Sequence, residues 1–158
     1  MNVGPLAADP PSSHSLGVGD EEFSELVGNK VVEDVAIAFV IDCERRQGRT
    51  ARDTRNRGSP ADVQSDDRII EVKAAGRSAR GFDLWLEGRQ VEEARTNPNF
   101  HVSVVDNIRQ GDPSQFRLID LHGDTLQSLL ERAKEQHHYT VPFPVAVYDR
   151  LLRDGEET

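Results

Sequence analysis

A chain of 158 residues with net charge −9 and 36% hydrophobic residues is expected to fold as one domain with a modest core and a wet surface. That acidic balance excludes non-specific nucleic-acid binding by the molecule as a whole. No apolar run is long enough to span a bilayer, so no membrane partner is expected, and the single cysteine, Cys43, excludes an internal disulfide and a cysteine-based zinc site. A cytoplasmic setting follows as the default expectation, since the N-terminus lacks a basic-then-apolar leader pattern.

Residues 1–19, rich in Pro and Ser, are expected to form a disordered arm, residues 20–153 a single domain, and residues 154–158 an acidic tail. Phe23, Val27, Val31, Val35, Ile37, Ala38 and Ile41 recur at helical spacing. Gly28 is expected to separate a short helix from a longer one running from about Asn29 to Arg46, with Gly48 as its stop. Cys43 lies in this apolar run and reads as a buried thiol. The arginine-rich stretch ERRQGRTARDTRNRG follows, with a short extended piece near Arg52 to Thr54. Ala61 to Gln64 and Arg68 to Lys73 read as paired strands joined by the turn Ser65-Asp66-Asp67. Phe82 to Leu86 is expected as a third strand, Gly88 to about Arg95 as a short helix, and Phe100 to Asn107 as a buried fourth strand. QFRLIDL suggests a fifth strand. DTLQSLLERAKEQ is expected to be an amphipathic helix, capped by Asp124, with Leu126, Leu129, Leu130 and Ala133 on one face. In the closing segment YTVPFPVAVYDRLL, Pro142 and Pro144 keep the first part off a central strand. The order predicts a mixed α/β architecture around a central sheet.

Strand alternation points Glu71 and Lys73 to one face and Ile70 and Val72 to the other, and the turn returns Asp62 alongside. Two carboxylates make a hard-oxygen site suited to Mg2+ or Mn2+, and an ammonium beside it can orient water or stabilise charge on phosphorus. The same residues equally describe a salt-bridged hairpin face of little energetic consequence. Asp66 and Asp67 read as turn formers. Arg49, Arg52, Arg55 and Arg57 form a basic loop compatible with phosphate contacts or with simple solvation. His137 and His138 are adjacent, while His14, His101 and His122 stand apart, so no histidine spacing suggests a zinc site. Serine-hydrolase and P-loop signatures are absent from the sequence.

Pro60-Ala61-Asp62 followed by Glu71-Val72-Lys73, behind a helix carrying Glu33, resembles the PD-(D/E)xK nuclease superfamily, with one residue inserted between Pro and Asp. Within it, GNKVVEDVAIAFVIDCERRQG, RIIEVKAAG, LWLEGRQVEEA and FHVSVVDN resemble the family named after the C-terminal region of the plant protein NO VEIN, a family of unknown function. The likeness covers roughly residues 28–107. It implies a restriction-endonuclease-like α/β fold, a mixed central β-sheet flanked by helices. It also implies Mg2+ (or Mn2+) held by Asp62 and Glu71, Lys73 as water-positioning base or electrostatic partner, Glu33 as accessory acid, and Gln90 on the helix after the sheet. Glu87 stands where a hydroxyl residue is expected, and Gln90 where Glu is more usual. The implied activity is metal-dependent hydrolysis of DNA phosphodiesters. Arg49, Arg52, Arg55, Arg57 and Arg77 would bind flanking phosphates, with Arg68 and Arg80 as additions. A chain this small would take its sequence reading from a homodimer, a partner protein or a structure-specific substrate. The alternative is a catalytically inactive nuclease-like domain acting as a nucleic-acid or protein-interaction module, in defence or regulation.

Overall fold

The computed structural model describes residues 18–156, with side chains from residue 28 onward, so most of the expected arm and the end of the acidic tail lie outside the described residues. Helix α1 (Val18–Arg46) runs unbroken through Gly28, which corrects the expected division into two helices. A single interior glycine costs a helix only about 1 kcal/mol relative to alanine, less than the packing of α1 against the sheet returns. The helix stops as expected. Gly48 takes φ +84°, and the Gly48 and Arg49 amides bond back to the Arg45 and Glu44 carbonyls at 2.9 and 3.1 Å.

Strands β1 (Ala51–Asp53), β2 (Val63–Ser65) and β3 (Arg68–Ala74) form an antiparallel meander. The turn is shorter than expected, since Ser65 pairs with Arg68 and only Asp66-Asp67 connect them. Asp66 adopts φ 49°, a conformation that Asp tolerates, and exchanges backbone and side-chain hydrogen bonds with Thr50 at 3.0 and 3.1 Å. The chain then crosses through α2 (Gly88–Thr96) to β4 (Phe100–Asp106), which pairs parallel with β3, and β5 (Arg117–Leu121) pairs antiparallel with β4. The sheet order is β1-β2-β3-β4-β5. A short 3-10 turn, Pro113–Gln115, precedes β5, and α3 (Gly123–Leu130) and α4 (Val145–Glu156) follow it. The fold is thus a five-stranded mixed sheet flanked by helices.

Alternation assigns each face of the sheet its own core. Ile70, Val72, Val63 and Val105 pack on Ala36, Ile37 and Val40 of α1. Phe100, Val102 and Val104 pack on Ala94 of α2 and Leu126 and Leu130 of α3. Several expectations fail where no partner surface exists. Phe82 to Leu86 forms no strand, because β4 takes the place beside β3, and Phe82 and Trp85 are 72% and 77% exposed. Helix α3 ends at Leu130; His122 is its N-cap, Asp124 lies in its first turn, and Leu129 is exposed. The segment carrying Pro142 and Pro144 forms no strand, as expected, and none of the residues of α4 is buried. Cys43 is half-buried rather than buried. Among the described residues, no helix is long and apolar enough to cross a membrane.

Ile70 is fully buried between β2 and β4, facing α1. Ile70→Ala should therefore cost about 3 kcal/mol in urea denaturation, the usual size for a buried large-to-small change. A loss below about 1 kcal/mol would show that the α1 face is not the stabilising core.

Candidate functional site

Two groups of polar side chains gather on the sheet, one on each face. The first is built on β3. Asp62 lies one residue ahead of β2, where the backbone ladder with β3 is ending. Its amide donates to the Ile70 carbonyl at 3.2 Å, and its carboxylate Oδ2 accepts from the Val72 amide at 3.0 Å. The side chain thus satisfies a strand donor that β2 no longer reaches. Glu71 projects to the same side from the middle of β3 and is only 5% exposed. Lys73 Nζ donates to its Oε1 at 2.9 Å, while its Oε2 is buried with no hydrogen-bond partner. Burial and the neighbouring Asp62 charge push the Glu71 carboxyl up to about 7, against the opposing pull of Lys73 and Gln90. Gln90, in the first turn of α2, accepts from the Glu87 amide at 3.0 Å through Oε1. Its amide NH2 is thereby left as the end that can serve Glu71.

Asp62, Glu71, Gln90 and Glu33 line one cleft of ≈ 310 Å3, together with Lys30, Arg55, Asn56 and Arg89. The structure thus brings four of the five expected site residues to one cavity; Lys73 does not line it and is bonded to Glu71, which does. Glu33 is exposed on α1 and stands 3.8 Å from Arg55. The donor set is two carboxylates, and the orphaned Glu71 Oε2 supplies a buried oxygen without a partner. These features fit a hard divalent cation of the Mg2+ kind.

The expected phosphate-binding arginines divide into two sets. Arg49 is committed to Glu44, and Arg55 to Asp53 and Asp34, each at 2.7 Å, so both serve the fold. Arg68 bridges Glu44 and Asp120, at 3.1 Å each. Arg52, Arg57, Arg77 and Arg80 are exposed and make no ion pair among the described residues.

The second group lies on the α1 face, toward the β5 edge, and corrects the expectation that no histidines share a site. The register sets Val102 against Leu121 and Ser103 against Asp120, so His101 falls opposite His122 with Asp120 beside them. The imidazole rings stack with centroids 4.8 Å apart, and His101 Nδ1 lies 3.0 Å from Asp120 Oδ1. Burial alone would raise the Asp120 carboxyl, but His101, Arg68 and His122 hold it below the usual carboxylate range. One ligand atom from each of the three residues lies within 4.8 Å of the others, so the group can coordinate a divalent cation. Linear spacing gave no sign of it. The signal was the facing pattern His-x-Ser on β4 and Asp-x-His running from β5 into the start of α3, readable only once the antiparallel register is known.

Comparison with protein-family profiles matches residues 32–119 to the family described as Protein NO VEIN, C-terminal. No curated protein and no solved structure matches the chain. The matched span takes in Glu33, Asp62, Glu71, Lys73, Gln90 and His101 and ends just before Asp120. Because that span is more than half of the 158 residues and contains all five strands but the end of β5, the chain belongs to the NO VEIN C-terminal family.

Proposed function

We propose that the protein is a divalent-cation-dependent phosphodiesterase acting on DNA, with a restriction-endonuclease-like fold and a PD-(D/E)xK-type site at Asp62, Glu71 and Lys73. The observation that carries this reading is the convergence of Asp62 and Glu71 on one cleft, with Lys73 bonded to Glu71 and one Glu71 oxygen left without a partner. The order of elements agrees with it: an acid-bearing helix, an acid ahead of one strand, and Glu-x-Lys on the next. Asp62 and Glu71 would hold Mg2+ or Mn2+, which when bound would polarise a phosphate oxygen as a Lewis acid.

The rest of the chemistry falls to the chain's own residues. Lys73 holds Glu71 Oε1 in place, and its ammonium would orient a water or stabilise a developing negative charge. Gln90 presents a neutral donor, which supports the Glu71 carboxylate without adding charge. Glu33 stands at the outer wall of the cleft as an accessory acid. Phosphates flanking the scissile bond would meet Arg52, Arg57, Arg77 and Arg89 before Arg49 or Arg55, because ion pairs already occupy the latter two. A homodimer or partner protein would supply sequence reading.

Purified protein with Mg2+ or Mn2+ should cleave at least one of linear, nicked, branched or single-stranded DNA. Glu71→Gln and Lys73→Met should each lower the rate by about 100-fold or more. Cleavage unchanged in both variants would remove the assigned site. Salt-dependent DNA binding without cleavage would favour the inactive binding module instead. In either case Arg52→Ala and Arg57→Ala should each flatten the slope of log K against log salt by about one unit, measured by fluorescence anisotropy.

The proton on Glu71 gives a test that needs no substrate. Because folding raises its proton affinity, its contribution to stability is complete below the ordinary Glu value of 4.5 and is lost as pH rises through about 7. Glu71→Gln stays neutral throughout. The variant should match the parent near pH 4 and exceed its stability by on the order of 2 kcal/mol near pH 8 in urea titrations. Mg2+ should raise the melting temperature of the parent at that pH and leave the variant unmoved.

A further inference from the structure

The second polar group has an occupant that fits it imperfectly. Arg68 Nη2 lies 3.1 Å from both His101 Nδ1 and Asp120 Oδ2, so a guanidinium nitrogen stands among the groups that could ligate an ion. His101 Nδ1 also lies 3.0 and 3.2 Å from the two Asp120 oxygens. One imidazole nitrogen cannot accept from arginine and donate to a carboxylate at once. If it is bare, its lone pair faces the carboxylate. If it is protonated, its hydrogen faces the guanidinium. Arg68 itself is poorly served, since its Nε is buried with no hydrogen-bond partner. A cation with empty orbitals would resolve the conflict, because the imidazole lone pairs and the carboxylate could all point at it.

We propose that His101, Asp120 and His122 form a binding site for a borderline transition-metal ion of the Zn2+ class, and that Arg68 occupies this site as a displaceable stand-in for the ion. Two imidazoles and one carboxylate select Zn2+, Co2+ or Ni2+ over Mg2+, whose preference is for oxygen ligands and water. His101 and Asp120 sit on the adjacent strands β4 and β5, and His122 follows β5 directly as the N-cap of α3, so ladder and helix start together fix the spacing of the donors. Arg68 has somewhere to remain when displaced. Its Nη1 already bonds Glu44 Oε2 at 3.1 Å, so the guanidinium can keep that ion pair while giving up His101 and Asp120. Asp120 and His122 are exposed, which leaves a fourth coordination position open to solvent. The site is separate from the acidic cleft: it is built on the opposite face of the sheet, and Asp120 and His122 lie beyond the span shared with the family.

The test is titration of the full chain with Zn2+ and, separately, Mg2+ by isothermal calorimetry, with Co2+ visible absorption as a second readout. One Zn2+ per chain is expected at the histidines, with no Mg2+ heat lost on changing them. His122→Ala, at an exposed position that should not disturb folding, is expected to weaken Zn2+ at least about tenfold and to abolish the Co2+ bands. Arg68→Gln, which removes the competing charge, is expected to tighten Zn2+ by about tenfold or more. A double change of the exposed pair His137→Ala and His138→Ala should alter neither. Zn2+ binding unaffected by His122→Ala, or no binding at all, would overturn the site. Affinity unchanged in Arg68→Gln would overturn the role given to the arginine. None of these readouts depends on DNA cleavage, so the proposal stands or falls apart from the phosphodiesterase reading.

Discussion

The double pairing of β3 is the constraint on which the rest of the molecule depends. It is antiparallel to β2 through Arg68 to Ile70 and parallel to β4 through Ile69 to Ala74, so one seven-residue strand carries two ladders and both faces. Alternation then divides its side chains: Arg68, Ile70 and Val72 face α1, and Ile69, Glu71 and Lys73 face α2 and α3. A one-residue slip would bury Lys73 beneath α1 and take Ile70 out of that core, which is why the register is strongly specified. Both polar groups inherit their geometry from this strand, the cleft through Glu71 and the histidine group through Arg68.

The buried carboxylates show how differently the fold treats charge. Glu44 is 7% exposed and answered by Arg49, Ser65 and Arg68, which together overcome its burial and hold it ionised. Asp106 is 3% exposed and held well below the usual range by Arg117, with help from the Ala79 amide. Glu71 is as buried as these but has one ion-pair partner, Lys73, the weaker support of Gln90, and a second carboxylate nearby. A structural carboxylate is normally satisfied like the first two, since an unpaired buried oxygen costs about 1–3 kcal/mol. Glu71 departs from that pattern at the place where the cleft opens, and perturbed groups of this kind concentrate at functional sites.

Much of the architecture could be read from local pattern. The hairpin, α2, β4 and the glycine stop of α1 each rest on residues within one turn or one strand, where propensity and alternation act directly. Glu71 and Lys73 were identifiable for the same reason, because a shared face requires only the period of a strand. Readings failed where a distant partner decides the outcome. Phe82 to Leu86 carries a strand pattern but stays irregular, because β4 takes the place beside β3 that it would have filled. The grouping of His101, Asp120 and His122 depends on the register between two strands and has no local signature. Arg49 and Arg55 look like free cations in the sequence and are ion-paired in the fold, since their carboxylate partners come from α1 and the neighbouring strand.

The sheet order β1-β2-β3-β4-β5 repeats the order of the strands in the chain. Every pairing except one therefore joins strands linked by a hairpin or a modest loop, and the exception is the parallel β3–β4 ladder, whose crossover runs from Ala75 to Asn99. Loop-closure entropy is thus concentrated at a single junction. In kinetic terms the β2–β3 hairpin, closed by the two-residue Asp66-Asp67 turn, can form early, whereas docking β4 must await collapse of the crossover around α2. On that reasoning the β3 strand carrying Glu71 and Lys73 would organise first, and the β4 strand carrying His101 would be added to a template already in place.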